Sequence, residues 1–486
     1  MSVDWQQLQD IVPELSVLLN LVISLAASSH VVLNKDDTRA ATAWVGLIWL
    51  VPFVGTILYV FLGINRIQRR AKVLKSGGTP FSVPLDQAPR SPADLDRELG
   101  SERARLIELA RVVGNVTQRS LLVGNRVDRL IDGDEAYPAM LEAIQSAQRS
   151  ISFVSYIFEA GGVGEDFVDA LVEARTRGVE VRVLVDDVGS RYARPRIHRV
   201  LKKRSVPVAN FLPALLPRSV THFNLRNHCK ILVVDGRVGF TGGMNIRQDS
   251  VLASSPKYPT KDLHFRVLGP VVAQLQEVFA RDWAFTTGEK LAGRRWFPEL
   301  QPKGETLCRG ITDGPDRDID NLHWVFLAAI GAARRSIRIM TPYFLPDTVL
   351  LKALHLAAQR GVDVDIIVPE AANLPVVRWA MWGHHRQVLR QGVRLWLSPA
   401  PFDHSKLFVV DGYWSSIGSS NWDPRSLRLN FEFNLECYDE ELGASLEDHV
   451  RHRLEDARLL TSEELDQRSM FRKVRDGTAR LMTPYL

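Results

Sequence analysis

The sequence predicts an α/β protein: two tandem α/β repeats, each a sheet flanked by helices, form a pseudo-twofold bilobal domain preceded by an N-terminal transmembrane helical hairpin. Three observations predict it. Two long apolar stretches occupy the first 70 residues, a helix–strand–helix–strand grammar begins near residue 101, and that grammar then recurs in the same order. At 486 residues the chain also exceeds what one hydrophobic core usually supports. The expected domains are a membrane hairpin over 1–70, a linker over 71–100, a first repeat over 101–305 and a second over 306–486.

The first apolar stretch, 11–33, carries Glu14, Asn20, several serines and His30, so it makes an imperfect span. The second, Ala40 to Ile64, holds no charge over about the 20 to 25 residues that cross a bilayer and makes the better one. Asn34 to Arg39 is a polar turn between them, which puts both ends of the hairpin on one side. Lys35 and Arg39 lie in that turn, whereas Arg66, Arg69, Arg70, Lys72 and Lys75 follow the second span, and five against two places the bulk of the chain in the cytoplasm. Gly77, Gly78, Pro80, Pro84, Pro89 and Pro92 then make 76–100 a linker composition.

The regular part opens with an amphipathic helix over 101–113. Duplication follows. The segment Ala143 to Ile151 matches Ala329 to Ile337 at an offset of 186, Arg177-Gly178-Val179 matches Arg360-Gly361-Val362 at 183, and a longer motif recurs at 176. In the first copy, 152–158 reads as a strand, 164–176 as a helix and 179–185 as a strand. Two stretches stay open between core and a lipid-facing rim: 211–217, apolar and broken by proline, and 376–382, where Trp379 and Trp382 are interleaved with Arg378.

The longer motif carries the chemistry. His228, Lys230, Asp235, Gly242, Gly243 and Asn245 recur as His404, Lys406, Asp411, Gly418, Ser419 and Asn421. Residues two apart on a strand project from one face, so His228 with Lys230, and His404 with Lys406, form compact donor sets. An imidazole can attack or move a proton, while an ammonium and an amide hold anionic oxygens. One copy is half a phosphodiester site; two copies about a twofold axis supply both the attack and the protonated leaving group. No metal or other cofactor is called for. A histidine acting this way needs its second nitrogen fixed by an acceptor, and Asp262 and Glu432, on equivalent strands of the two copies, are the candidates. The three cysteines, Cys229, Cys308 and Cys437, have no metal-ligand spacing and point to a reducing compartment. A net charge of +5 is compatible with anionic lipid or with nucleic acid and decides neither.

The doubled string His-x-Lys-x4-Asp-x6-Gly-[Gly/Ser]-x-Asn resembles the phospholipase D superfamily. The hairpin, Arg226-Asn227-His228, Gly239 to Ile246 and Asp423 to Asn434 resemble its bacterial cardiolipin synthase branch. The resemblance implies transfer of a phosphatidyl group from one phosphatidylglycerol to another with release of glycerol, giving cardiolipin. It implies His228 as nucleophile, His404 as general acid and then base, Lys230, Lys406, Asp235 and Asp411 as the rest of the catalytic motif (the aspartates serving mostly structure), and Asn245 and Asn421 as phosphate ligands. It further implies a multi-pass protein of the bacterial cytoplasmic membrane with its catalytic domain in the cytoplasm, acting on an anionic lipid surface and not on nucleic acid. A homo-oligomer is left open. The rival readings are a phospholipase D using water or another alcohol, a nuclease, and a membrane scaffold without activity.

Overall fold

A computed structural model describes residues 5–35, 37–63, 104–213, 225–316 and 318–483. The expected linker, the basic residues 66–75 and positions 214–217 of the first ambiguous stretch lie outside the described residues. The chain divides into two units, Met1–Arg70 and Ala71–Leu486.

In the first unit, α1 (Trp5–Asn34) and α2 (Thr38–Leu50) form a hairpin whose second helix is capped by Asp37, Oδ1 accepting from Arg39 N–H at 2.9 Å. The expected quality of the two spans is reversed. Among the described residues only Pro13–Asn34 forms a helix long and apolar enough to cross a membrane. The second stretch breaks after Leu50 and resumes as α3 (Val54–Leu58) and a π-turn over Tyr59–Gly63. Pro52 is the cause: it disfavours helical geometry at Val51 (φ −128°, ψ 85°) and offers no N–H to continue the ladder. Phe53 then takes φ 56°, and its backbone N–H donates to Asn20 Oδ1 at 3.0 Å. Trp49 Nε1 donates to Ser28 Oγ at 3.0 Å, and His30 Nδ1 meets Tyr59 OH at 2.7 Å. Asn20, Ser28 and His30, among the polar residues that made the first stretch look imperfect, therefore fasten it to the broken second one.

In the second unit the first repeat contributes β1 (Leu122–Ile131), β2 (Ser150–Ser155), β3 (Glu180–Asp186), β4 (Val208–Phe211), β5 (Arg226–Asn227), β6 (Ile231–Val234), β7 (Val238–Gly242), β8 (Thr260–Lys261) and β9 (Leu263–Leu268). The second contributes β10 (Thr306–Asp313), β11 (Ser336–Met340), β12 (Asp363–Pro369), β13 (Arg394–Ser398), β14 (Phe402–Asp403), β15 (Leu407–Val410), β16 (Trp414–Gly418), β17 (Asn430–Tyr438) and β18 (Arg458–Leu459). One sheet runs β4-β3-β2-β6-β7-β9-β1 and continues β10-β17-β16-β15-β11-β12-β13-β18. Apart from β18, the order reads the same from either end, with the antiparallel pair β1 and β10 at the centre. β2 is buried along its whole length because helices cover both faces, which is why its sequence does not alternate.

The helices of the first repeat cover 132–146, 163–176 and 197–203, those of the second 321–332, 348–359 and 375–388, with longer helices over 272–287 and 440–456. The duplicated Arg-Gly-Val is a helix terminus. Gly178 (φ 89°) and Gly361 (φ 88°) take the left-handed conformation a C-cap needs, and Val179 and Val362 N–H close back onto Ala174 and Ala357 carbonyls at 3.1 Å each. One apolar cluster spans both repeats, joining Leu122, Cys229, Leu263 and Phe265 to Cys308, Leu407, Ile417, Phe433 and Leu435. All three cysteines are buried thiols outside any disulfide.

Candidate active site

The chain brings each histidine in on an extended lead-in rather than on the strand itself, since β6 starts at Ile231 and β15 at Leu407. Short side chains shape both approaches: Asn227 Oδ1 accepts from Cys229 N–H at 3.1 Å, and Asp403 Oδ1 from Ser405 N–H at 3.0 Å. The two lead-ins pair across the twofold. β5 runs parallel to the start of β17, with His228 N–H donating to Phe431 O at 2.9 Å, and β14 runs parallel to β8, with His404 N–H donating to Lys261 O at 2.7 Å.

That crossing decides the partners. His228 Nδ1 lies 2.9 and 3.0 Å from the two Glu432 carboxylate oxygens, and His404 Nδ1 lies 2.8 Å from Asp262 Oδ2. Each imidazole is thus fixed by the carboxylate of the opposite repeat. Neither carboxylate is in solvent; both are buried. Lys230 Nζ donates to His228 O and Lys406 Nζ to His404 O, each at 2.6 Å, and Lys406 Nζ also lies 3.0 and 3.1 Å from the His404 ring nitrogens. Asn245 Oδ1 accepts from Ile157 N–H at 3.0 Å, whereas Asn421 Oδ1 is buried with no partner among the described residues.

The structure does not bring Asp235 and Asp411 into this cluster, although they belong to the expected catalytic motif. They lie at the far ends of β6 and β15, one strand length from the histidines, with φ 52° and 55°. Asp235 accepts from the N–H groups of Gln148, Arg149 and Ser150, and Asp411 from those of Arg334, Arg335 and Ser336, at 2.6 to 3.2 Å. A carboxylate so placed closes a turn and touches no reacting group.

Electrostatics differ between the two pairs. Burial, helped by Lys230, pushes the His228 imidazole down to about 4 against the pull of Glu432, so it is neutral at pH 7. Burial would raise the Glu432 carboxyl, but His228, Lys230 and the Ser419 hydroxyl together hold it below the usual range. Ser419 Oγ donates to Oε2, and Asn430 Nδ2 donates to Oε1 at 3.2 Å. Asp262 has no such hydroxyl, since Gly243 stands where Ser419 stands in the other copy, and burial pushes its carboxyl up to about 8 despite Lys406 and the Leu263 N–H donating to Oδ1 at 2.8 Å. His404 falls well below the ordinary imidazole value through burial and the adjacent Lys406. Burial also brings Lys230 down to about 7 and Lys406 to about 8.

Three neighbours escaped the motif reading. Tyr156 meets the His228 ring edge-on at 5.1 Å and underlies Lys230 at 5.6 Å, Asn430 braces Glu432, and Asp186 accepts the Asn227 N–H at 3.0 Å. No spacing rule reaches Tyr156, because the duplicated position is Pro342. The carboxylates were reachable by comparing equivalent strands.

A family profile described as the cardiolipin synthase, phospholipase D-like domain matches residues 140–283 and 326–454, the two repeats in turn. The chain belongs to the cardiolipin synthase family. A second profile, described as a phospholipase D-nuclease N-terminal segment, matches 22–63. Cardiolipin synthase 1 of Staphylococcus epidermidis is 31% identical over 480 residues, 97% of each chain. The cardiolipin synthase of Listeria monocytogenes is 31% identical over 482 residues, 97% of this chain and 98% of the relative. Among solved structures, the phosphatidylserine synthase of Haemophilus influenzae covers 78% of this chain with its full length, at TM-score 0.59 and 16% identity, a likeness of fold. Membership makes this member of the family a phosphatidyltransferase.

Proposed function

We propose that the chain transfers a phosphatidyl group from one phosphatidylglycerol to the terminal hydroxyl of another, releasing glycerol. The observation that carries the chemistry is the pair of histidine–carboxylate contacts crossing between the repeats. His228 is the nucleophile: it is neutral, its Nδ1–H is committed to Glu432, and Nε2 keeps its lone pair. Attack forms the P–N bond and breaks the P–O bond to the departing glycerol, whose oxygen takes a proton from His404. The positive charge that builds on the phosphorylated His228 ring is met by an ionised Glu432 held in place by Ser419 and Asn430.

The opposite pair suits the proton. Because the Asp262 carboxyl titrates near 8, the His404–Asp262 pair holds a proton at neutral pH, and the arriving phosphodiester anion draws it onto His404. In the second half His404 takes the proton of the incoming hydroxyl, whose oxygen displaces His228. Lys230 and Lys406 face the non-bridging oxygens, and their depressed values rise again when an anion lies between them.

The full-length match to proteins named cardiolipin synthase supports a lipid hydroxyl, and not water, as acceptor. The hairpin supports a multi-pass anchor, and its charge bias supports a cytoplasmic body. Purified protein given phosphatidylglycerol in vesicles should yield cardiolipin and glycerol in equal amounts by mass spectrometry; phosphatidic acid without cardiolipin would overturn the acceptor assignment.

A further inference from the structure

The helix over Met470–Leu481 has no part in the site, yet it is the most one-sided helix among the described residues. Its inner face is small and polar. Asp476 and Ala479 are buried against the helix over Pro375–Val388, and the approach is close: a Cβ at Gly383 would lie 2.4 Å from Asp476 O. Asp476 is held by Arg468 and Arg475, whose guanidiniums cover Trp382 at 4.0 Å and Trp379 at 4.7 Å. These contacts fix how the helix is turned.

The outer face is large and apolar. Met470 is 73%, Phe471 79%, Val474 59% and Leu481 74% exposed, with Met482 beyond them also exposed. At 3.6 residues per turn Met470, Val474 and Leu481 share one stripe, and Asp476 and Ala479 lie opposite it. Lys473 and Arg480 flank the stripe on one side and Arg475 on the other, Arg472 is exposed in the first turn, Arg468 turns inward onto Trp382, and Asp476 is the one acidic residue of the helix. The supporting helix starts at the loop that leaves β12, with Leu374 and Val376 exposed there. That is the end of the sheet where His404 lies, because β12 is parallel to β11 and Met340, at the end of β11, pairs with Leu407. Tyr343 OH bonds Asn373 Oδ1 at 2.6 Å and ties this loop to the same end.

We infer that the helix over Met470–Leu481 lies in the interface of an anionic bilayer, apolar stripe inserted and cations at headgroup level, as a second membrane contact of the chain. Charge selects the occupant. Large apolar residues bordered by Arg and Lys are what an anionic lipid surface binds. A second copy would set these cations against their own kind, and a helix about 18 Å long falls short of the roughly 800 Å² per partner that stable protein pairs bury. The inference goes beyond the phosphatidyl-transfer reading and takes from it only that the chain works at a bilayer.

The test uses the full chain with Val474→Cys labelled by the fluorophore NBD; the native cysteines are buried. In vesicles of equal parts phosphatidylglycerol and phosphatidylcholine, doxyl-labelled lipid should quench the emission about twofold, and Phe471→Glu with Leu481→Glu should abolish the quenching. The same two substitutions, without the label, should lower transfer in vesicles roughly tenfold while leaving transfer of short-chain phosphatidylglycerol in detergent micelles unchanged. Emission insensitive to doxyl lipid, or disulfide cross-linking of two copies through Val474→Cys, would overturn the inference. So would equal loss in vesicles and micelles. A wild-type chain that makes no cardiolipin would sink the catalytic reading while the quenching still decides the helix.

Discussion

Ser419 and Gly243 occupy the same position in the two copies, and the difference is one hydroxymethyl group. In the second copy that hydroxyl donates to Glu432 and helps keep it ionised; in the first, a Cβ at Gly243 would lie 2.4 Å from Asp262 Oδ1. A symmetric scaffold so acquires one carboxylate suited to stabilising a cation and one suited to holding a proton. Ser419→Gly, which copies the first repeat, should lower kcat roughly tenfold, the scale of a lost hydrogen bond to a charged group. Because the Ser419 bond lowers the Glu432 pKa, its loss should also move the acid limb of the pH–kcat profile upward; an unmoved limb would reduce Ser419 to a packing residue. Glu432→Gln should cost on the order of 10²-fold or more, since an amide cannot offset the charge on a phosphorylated imidazole. The lysines should set the basic limb. Burial lowers Lys230 to about 7 and Lys406 to about 8, so the free enzyme loses these charges, and the Asp262 proton, as pH rises through that window. The pH profile of kcat/KM should fall there; a profile flat well above it would contradict the assignment. The two His-Lys sets were legible as strings, but burial was not, so no spacing could have shown that the lysines titrate near neutrality.

Three duplicated segments that look separate in the chain converge on one turn in each repeat. Arg177 donates to Ile144 O at 3.0 Å and Ala147 O at 3.4 Å, and Arg360 to Ile330 O at 3.0 Å and Ala333 O at 3.3 Å. Asp235 and Asp411 gather the N–H groups of the following residues, so the helix end, the turn and the strand start are closed from both sides. Motif membership groups these aspartates with the catalytic residues; their bonds argue for the structural role the resemblance also implies. Asp235→Ala should therefore destabilise the body by about 3 kcal/mol, from unpaired backbone donors and an alanine at φ 52°, measured as a lower urea midpoint. Transfer by the fraction that remains folded should keep its kcat, whereas loss of turnover in the folded variant would return Asp235 to the chemistry. The duplication was readable because helix caps and turn acceptors demand particular residues. The break in the second apolar stretch was not, because a hydropathy count treats Pro52 as neutral and cannot see Asn20 waiting for the Phe53 N–H.

At the scale of the whole body, the crossing governs what each repeat can do alone. The sequence places Asp262 nearer His228 and Glu432 nearer His404, yet each carboxylate serves the other histidine, because β5 pairs with β17 and β14 with β8. Pairing of this kind depends on contacts far apart in the chain and leaves no local periodicity. It also shares the core: Cys229, Leu263 and Phe265 pack in one cluster with Leu407, Phe433 and Leu435. A fragment ending near residue 305 would expose the β1 edge that β10 covers, leave half of that cluster in water, and hold His228 without its acceptor. Fragments 101–305 and 306–486 made separately should thus aggregate or remain expanded and transfer no phosphatidyl group, while the two co-expressed should assemble one to one and regain activity, as read by sedimentation and by lipid mass spectrometry. A first fragment that is monodisperse and unfolds cooperatively by itself would show that the repeats are independent domains. In that case the crossed pairs would be a docking contact between finished folds, and the shared cluster would have to contribute little to the stability of either.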